Sequence, residues 1–180
     1  MSSAATVHVG PALPADVRAI RRLVEPYARE RILLAKEWVG YYEAVQEFLV
    51  ARPAGDAGGV GDPAPAEVVG CGALHVMWED LAEIRTLAVA PEYRGRAVGH
   101  VLVDALIERA RALGLRRVFC LTFEVDFFAR HGFEEIDGTP VSSDVYAELL
   151  RSHDDGVAEF LDLARVKPNT LGNTRMLLHL

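Results

Sequence analysis

One segment, residues 83–99, constrains the fold of this chain more than any other feature of its sequence. A strand that ends at Val89 leads into a loop of small and basic residues, and the loop opens a long amphipathic helix near Val98. The first N–H groups of a helix have no partner within it, and the helix dipole adds positive potential there. Such a junction therefore binds phosphate groups. Arg94 and Arg96 add mobile positive charge, while the small side chain of Ala97 leaves the amides uncovered. The segment predicts a cradle for a pyrophosphate.

Two common phosphate-binding loops are excluded by the same segment. No Gly-Lys-Ser/Thr sequence follows the strand, so the loop is not that of a P-loop nucleotide hydrolase. The Gly-x-Gly-x-x-Gly pattern of dinucleotide-binding folds is also missing from it.

The hydrophobic pattern predicts an α+β fold in one domain, residues 1–180. The elements follow the order β-α-α-β-β-β-α-β-α-β, then an additional helix and a last strand. This order differs from the strict alternation of a doubly wound parallel sheet. Residues 53–65, rich in Gly, Ala and Pro, are expected to form a flexible loop between two strands. Ser143 is expected to cap a helix that runs to Leu150.

Composition and charge narrow the class of protein. The chain has 180 residues, of which 51% are hydrophobic and 25% are charged, as in an ordinary globular domain. No apolar run reaches the roughly 20 residues that span a bilayer, and the N-terminus lacks the pattern of a secretory signal. The net charge of −7 disfavours a nucleic-acid partner. Cys71 and Cys120 lie in apolar stretches, which indicates reduced, buried thiols in a cytoplasmic protein.

The loop resembles the acetyl-CoA loop of the GNAT family of N-acetyltransferases, whose pattern is Arg/Gln-x-x-Gly-x-Gly/Ala. Here it reads Arg94-x-x-Ala97-x-Gly99, with alanine in place of the usual first glycine. A second signature of the family, a short helix that ends in Gly-Phe, matches residues 127–133. The resemblance implies a mixed, mostly antiparallel central sheet flanked by helices, with acetyl-CoA as co-substrate. It also implies a set of cofactor-binding residues: Leu87, Ala88, Val89, Arg94, Gly95, Arg96, Ala97, Val98, Gly99, Phe127 and Phe128.

Three segments carry a narrower resemblance within that family. Residues 82–89, residues 121–133 and the ending 156–173 resemble N-acetylglutamate synthases, in the short, stand-alone form of actinobacterial type. This resemblance implies acetyl transfer to the α-amino group of glutamate, or of glutamine, as the first step of arginine biosynthesis. It also implies a small-molecule acceptor and, as in many family members, two copies paired as a homodimer.

Acetyl transfer requires a neutral amine, and an α-amino group arrives mostly protonated at neutral pH. Glu83, on the strand beside the expected thioester, is the candidate general base. Arg85 lies two residues further on, so the two side chains share a face of the strand, and its guanidinium is a candidate for a substrate carboxylate. The alternative for both residues is a structural ion pair between them.

Further candidates for substrate binding are cationic or polar residues near the expected acceptor side. These are Lys36, Thr122, Lys167, Asn173 and Arg175. For Thr122 a local capping role is an equal alternative.

No acid is assigned for the leaving thiolate. Many family members carry a tyrosine four residues before the glycine of Gly-Phe, whereas this chain has Phe128 there. A thiol has a pKa near 8.5, so the thiolate leaves with little acid assistance. Cys120 is not expected to be a nucleophile, because direct transfer needs no acyl-enzyme. No cluster of residues has metal-ligand spacing, and no metal is expected.

Two other functions fit the same residues. In the first alternative, the acceptor is a protein N-terminus or another small amine. In the second alternative, the chain is a non-catalytic module that senses acyl-CoA. Ala97 and Phe128, both departures from the family pattern, favour the second alternative.

Overall fold

The structure is a computed structural model that describes residues 6–55, 67–166 and 172–180. Most of the expected flexible loop at 53–65 falls outside the described residues, as does Lys167. The strands are β1 Val7–Pro11, β2 Phe48–Pro53, β3 Gly70–Trp78, β4 Leu81–Val89, β5 Arg117–Thr122, β6 Glu134–Glu135 and β7 Thr174–His179. The helices are α1 Val17–Arg29, α2 Trp38–Glu43, α3 Val98–Ala112, α4 Val125–Ala129, α5 Ser143–Leu149 and α6 Asp155–Phe160.

The strands form a seven-stranded sheet in the order β1-β2-β3-β4-β5-β7-β6. Strands β4 and β5 run parallel, with Glu83 opposite Phe119. The pairs β1–β2, β2–β3, β5–β7 and β6–β7 are antiparallel. The expected α+β class, with a mixed and mostly antiparallel sheet, is confirmed.

The chain divides into two compact units. Unit 1 comprises Met1–Leu74 and Ile84–Arg109, and its core packs one face of α1 against β2 and β3. The spacing of the buried residues Val17, Ile20 and Val24 is that of a helix with one apolar face.

Helix α3 approaches strand β3 closely, because two positions of the strand carry no side chain. A Cβ added to Gly70 would lie 2.9 Å from Cδ1 of Leu102, and one added to Gly72 would lie 2.9 Å from Cδ1 of Leu106. Glycine at these two positions therefore sets the depth at which α3 and its N-terminal loop sit on the sheet.

Unit 2 comprises His75–Glu83 and Ala110–Leu180. Its core packs the inner faces of β5 and β7 against helix α6, with the rings of Phe119 and Phe160 edge to face at 5.0 Å between centroids. Gly114 ends α3 with a φ of 77°, as its place in the sequence indicates.

Two details differ from the sequence-based expectation. Ser142, not Ser143, caps α5: its backbone is extended and its side chain accepts a hydrogen bond from the Val145 N–H. Among the residues described between β6 and β7 there are two α-helices rather than one, because the Asp154 side chain accepts from the Val157 N–H at 2.9 Å and begins α6. In the described part of the chain, no helix is both long enough and apolar enough to cross a membrane.

Candidate active site

Strand β4 is distorted at its centre. Thr86 has a φ of 56°, in the left-handed region that a β-branched residue rarely adopts, and such a conformation costs on the order of 1–3 kcal/mol. Its carbonyl accepts a weak hydrogen bond from Cys71 Sγ at 3.7 Å. The segment Leu87–Val89, whose backbone is expected to face the cofactor, follows this residue directly.

The expected pyrophosphate loop precedes the first turn of α3. Gly95 has a φ of 71° and Ala97 a φ of 63°, so two residues of the loop adopt the left-handed conformation. Residues 94–97 are exposed, whereas Val98 is buried and anchors the start of the helix. The Ala97 carbonyl accepts from the Val101 N–H at 3.1 Å, which makes Ala97 the last residue before the helix. Alanine here occupies a conformation that glycine would adopt without strain.

Arg94 is held by a tyrosine from helix α1. Its Nε and Nη2 atoms donate to the Tyr27 hydroxyl at 3.2 and 2.8 Å, and its guanidinium lies 5.1 Å from the centre of the tyrosine ring. The hydroxyl in turn donates to the Val89 carbonyl at 2.9 Å. Arg96, the second arginine of the loop, stacks on Tyr93 at 5.5 Å. Sequence patterns did not point to Tyr27, because it lies 67 residues before Arg94.

Glu83, the candidate base, is 3% exposed on β4 within unit 2. Burial raises the pKa of the Cys120 thiol well above its ordinary value, and the charge of Glu83 raises it further. Burial lowers the pKa of Arg175, while Asp162 and Glu83 oppose that change. Both effects place the Glu83 carboxylate in the electrostatic neighbourhood of Cys120 and Arg175.

Arg175, a candidate substrate ligand, makes extensive contacts within unit 2. Its guanidinium donates to the backbone carbonyls of Gly138 at 2.9 Å and Glu159 at 3.2 Å, and also to that of Phe160. It also lies 5.0 Å from the centre of the Phe119 ring. These contacts give Arg175 a structural role, which the sequence did not indicate.

The remaining candidates for substrate binding are divided between the two units. Thr122 is buried at the end of β5, and its hydroxyl accepts a hydrogen bond from the Glu124 N–H at 2.8 Å. This local bond corresponds to the capping role that the sequence offered as an alternative. Asn173 is half-buried just before β7 in unit 2. In unit 1, Lys36 is half-buried between α1 and α2, and Arg85 is half-buried on β4.

Helix α4 carries the two phenylalanines of the second family signature. Phe128 is 6% exposed and meets Phe127 and Phe133 edge to face, at 5.2 and 5.3 Å between ring centroids. Phe127 is half-buried and also contacts His131. Phe128 is thus a core residue, and the contact of either ring with acetyl-CoA stays a prediction.

A separate cavity of about 450 Å³ lies in unit 1 beside helix α1. Its charged lining residues are Asp16, Arg18, Arg22, Glu67 and Glu92, and it contains none of the predicted site residues. Among the described residues, no three His, Cys, Asp or Glu side chains are grouped to hold a metal ion.

Comparison with known proteins identifies the family. Residues 18–133 match the acetyltransferase (GNAT) family. The chain is 59% identical to an amino-acid acetyltransferase of Mycobacterium tuberculosis over 163 residues, which are 91% of this chain and 88% of that protein. It is 30% identical to an amino-acid acetyltransferase of Aeromonas salmonicida over 70% of this chain but only 27% of that longer protein.

Solved structures agree with this fold. The crystal structure of Rv2747 from Mycobacterium tuberculosis in complex with CoA and NLQ has a TM-score of 0.86 and 57% identity, and the match covers 96% of this chain and 99% of that one. N-acetylglutamate synthase from Neisseria gonorrhoeae, complexed with coenzyme A and N-acetyl-glutamate, has a TM-score of 0.72 at 22% identity and is covered to 35% of its length. That second likeness concerns the fold alone.

The chain therefore belongs to the GNAT family of acetyltransferases. The expected class of enzyme, an acyltransferase with acetyl-CoA as its acetyl donor, is confirmed.

Proposed function

We propose that this enzyme transfers the acetyl group of acetyl-CoA to the α-amino group of L-glutamate or L-glutamine, as a cytoplasmic first step of arginine biosynthesis. The observation that carries the proposal is the 59% identity, over 91% of the chain, to the amino-acid acetyltransferase of Mycobacterium tuberculosis. The structure of Rv2747 with CoA and NLQ supports the same class of ligands.

The proposed reaction is a direct transfer. Glu83, buried on β4, removes a proton from the acceptor ammonium group, either directly or through a water molecule. The amine nitrogen then attacks the thioester carbonyl, whose oxygen becomes negatively charged. Backbone N–H groups of Leu87–Val89 stabilise that charge. The nitrogen, which carries a positive charge after the attack, gives up a second proton to solvent. When the carbon–sulfur bond breaks, CoA leaves as a thiolate and takes up a proton from solvent.

The donor side of the site is formed by residues 94–99. Arg94 and Arg96 are exposed cations, and the uncovered amides at the start of α3 add partial positive charge. These groups bind the pyrophosphate of acetyl-CoA. The reactive thioester is thereby directed to the distorted strand β4.

Whether glutamate or glutamine is the preferred acceptor depends on how many positively charged side chains contact it. Glutamate has two carboxylates, whereas glutamine has one carboxylate and a neutral amide. Arg85 and Lys36 are the candidates for binding them, since Arg175 is engaged by three backbone carbonyls. A site with one cation in contact with the substrate favours glutamine, whereas a site with two cations, one for each carboxylate, favours glutamate.

A panel of acceptors tests this proposal. Acetyl-CoA turnover is measured by release of the CoA thiol with glutamate, glutamine, aspartate, other free amino acids and short peptides. The expected result is acetylation of glutamate or glutamine with kcat/KM at least tenfold above that of any peptide. Efficient acetylation of peptides alone would move the acceptor to a protein N-terminus and contradict the proposal.

A further inference from the structure

We infer that Tyr27 is a positioning residue for acetyl-CoA: its hydroxyl orients Arg94 before the cofactor binds. The inference rests on the proposed function in one respect, since it takes Arg94 as a ligand of the pyrophosphate. It assigns to helix α1 a part in donor binding that the loop pattern at 94–99 does not include.

The hydroxyl of Tyr27 uses all of its hydrogen-bonding capacity. A phenolic oxygen has one proton to donate and two lone pairs that accept. The proton goes to the Val89 carbonyl at 2.9 Å. The two lone pairs are thus directed away from Val89, and both accept from Arg94, at 3.2 Å from Nε and 2.8 Å from Nη2.

The body of the tyrosine is itself fixed. Its ring is half-buried and packs against the core of unit 1. Its backbone carbonyl accepts from the Ile32 and Leu33 N–H groups, at 2.9 and 3.3 Å, where α1 ends. Tyr27 is therefore a rigid support, and Val89, at the end of β4, fixes the direction of its hydroxyl.

This support matters because Arg94 is exposed. An exposed arginine side chain samples many rotamers, and binding a phosphate would have to remove that freedom. The ring stacking at 5.1 Å and the two hydrogen bonds restrict the guanidinium in advance. Its Nη1 group takes no part in these two bonds and has two N–H donors with which to bind a phosphate oxygen. Such preorganisation lowers the cost of binding.

The test is the dissociation constant of CoA, measured by calorimetry, for Tyr27→Phe. This change keeps the ring and its stacking but removes the acceptor of Arg94. We expect CoA binding to weaken roughly 3- to 30-fold. The KM for acetyl-CoA should rise in parallel, while kcat at saturating acetyl-CoA and the KM of the acceptor stay within twofold of the unmodified enzyme.

Tyr146→Phe is the matched control. Its hydroxyl also donates to a backbone carbonyl, that of Leu161 at 3.3 Å, in unit 2, whereas the loop at 94–99 belongs to unit 1. CoA binding by this variant should stay within twofold of the unmodified protein. A comparable loss in both variants would mean that CoA binding reports general stability, and it would overturn the inference.

A double-mutant cycle separates an action through Arg94 from an action through the strand. If Tyr27 acts through Arg94, adding Tyr27→Phe to Arg94→Ala should weaken CoA binding less than twofold further. If the full loss persists in the Arg94→Ala background, Tyr27 acts on β4 instead and the inference is wrong. Unchanged CoA binding in Tyr27→Phe alone would also overturn it.

CoA binding requires no acceptor, so this experiment is independent of the acceptor panel. A panel without any turnover, combined with the expected pattern of CoA binding, would refute the proposed activity and leave the role of Tyr27 intact. An unmodified protein that binds no CoA would contradict both.

Discussion

At the scale of single residues, we propose Arg85 as the residue that binds a carboxylate of the acceptor. Replacing it with alanine should raise the acceptor KM roughly 10- to 100-fold, because a hydrogen bond to a charged group contributes about 1.5–3 kcal/mol. The dissociation constant of CoA should change less than twofold. Steady-state kinetics with glutamate and glutamine, together with calorimetry for CoA, measure the two effects. An equal loss for both substrates would assign Arg85 to support of the strand.

Ala97 carries strain that glycine would relieve. Because the residue is exposed and has a φ of 63°, Ala97→Gly should raise the free energy of unfolding by about 1 kcal/mol. The control is Ala105→Gly in the middle of α3, which should lower it by about 1 kcal/mol. Urea unfolding measures both. A loss of stability in Ala97→Gly would contradict the assigned backbone strain.

Cys71 and Tyr41 make unit 1 sensitive to alkaline pH. Burial raises the pKa of the Cys71 thiol to about 12 and that of the Tyr41 hydroxyl to about 12. In the unfolded chain both groups ionise near their ordinary values, about 9 and 10. The folded protein thus keeps protons that the unfolded chain releases, and stability should fall as pH rises from about 9 towards 12.

Urea unfolding at several pH values tests this dependence. The free energy of unfolding should be steady below pH 9 and decline above it. In Cys71→Ala the free energy of unfolding should decline less steeply just above pH 9, whatever the effect of the substitution on stability at neutral pH. An identical slope in the variant would show that Cys71 does not contribute.

At the scale of secondary-structure elements, Arg175 links β7 to the carbonyls of Gly138, Glu159 and Phe160. Lysine has no planar fork with which to reach all three. Arg175→Lys should therefore lower the free energy of unfolding by about 1–3 kcal/mol while the acceptor KM stays within twofold. Thermal and urea unfolding measure the loss of stability.

Arg165→Lys provides the comparison, because Arg165 pairs with Asp155 at the exposed surface. That substitution should cost less than about 1 kcal/mol. A stable Arg175→Lys with a tenfold higher acceptor KM would instead make Arg175 a substrate ligand, as the sequence predicted.

The elements themselves were largely predictable. The pattern of apolar residues predicted α1 and α3, because one face of each helix is buried, and it predicted the longer strands, which carry runs of buried residues. It did not predict α5 and α6 as two separate helices, because only one side chain, the capping Asp154, marks where α6 begins. It placed the cap of α5 one residue late, because Ser142 and Ser143 are chemically alike and only the backbone distinguishes them.

At the scale of the whole molecule, local motifs predicted the loop at 94–99 but not the contacts that support it. The loop at 94–99 is contiguous, so its chemistry is visible in the sequence. The bond between Tyr27 and Arg94 and the carbonyl contacts of Arg175 join segments far apart in the chain, and the carbonyl of the left-handed Thr86 accepts a hydrogen bond from Cys71 on β3. None of these follows from periodicity or spacing.

The central claim is that this chain catalyses acetyl transfer with Glu83 as the base. Its most direct test compares turnover of acetyl-CoA with glutamate or glutamine by the unmodified enzyme and by Glu83→Gln, with CoA binding measured in both. We expect kcat to fall roughly 10²- to 10⁴-fold in the variant, because general base catalysis contributes about that factor, while CoA binding stays within twofold. Unchanged turnover in Glu83→Gln would refute the base assignment, and CoA binding without turnover by the unmodified protein would make it an acyl-CoA-sensing module.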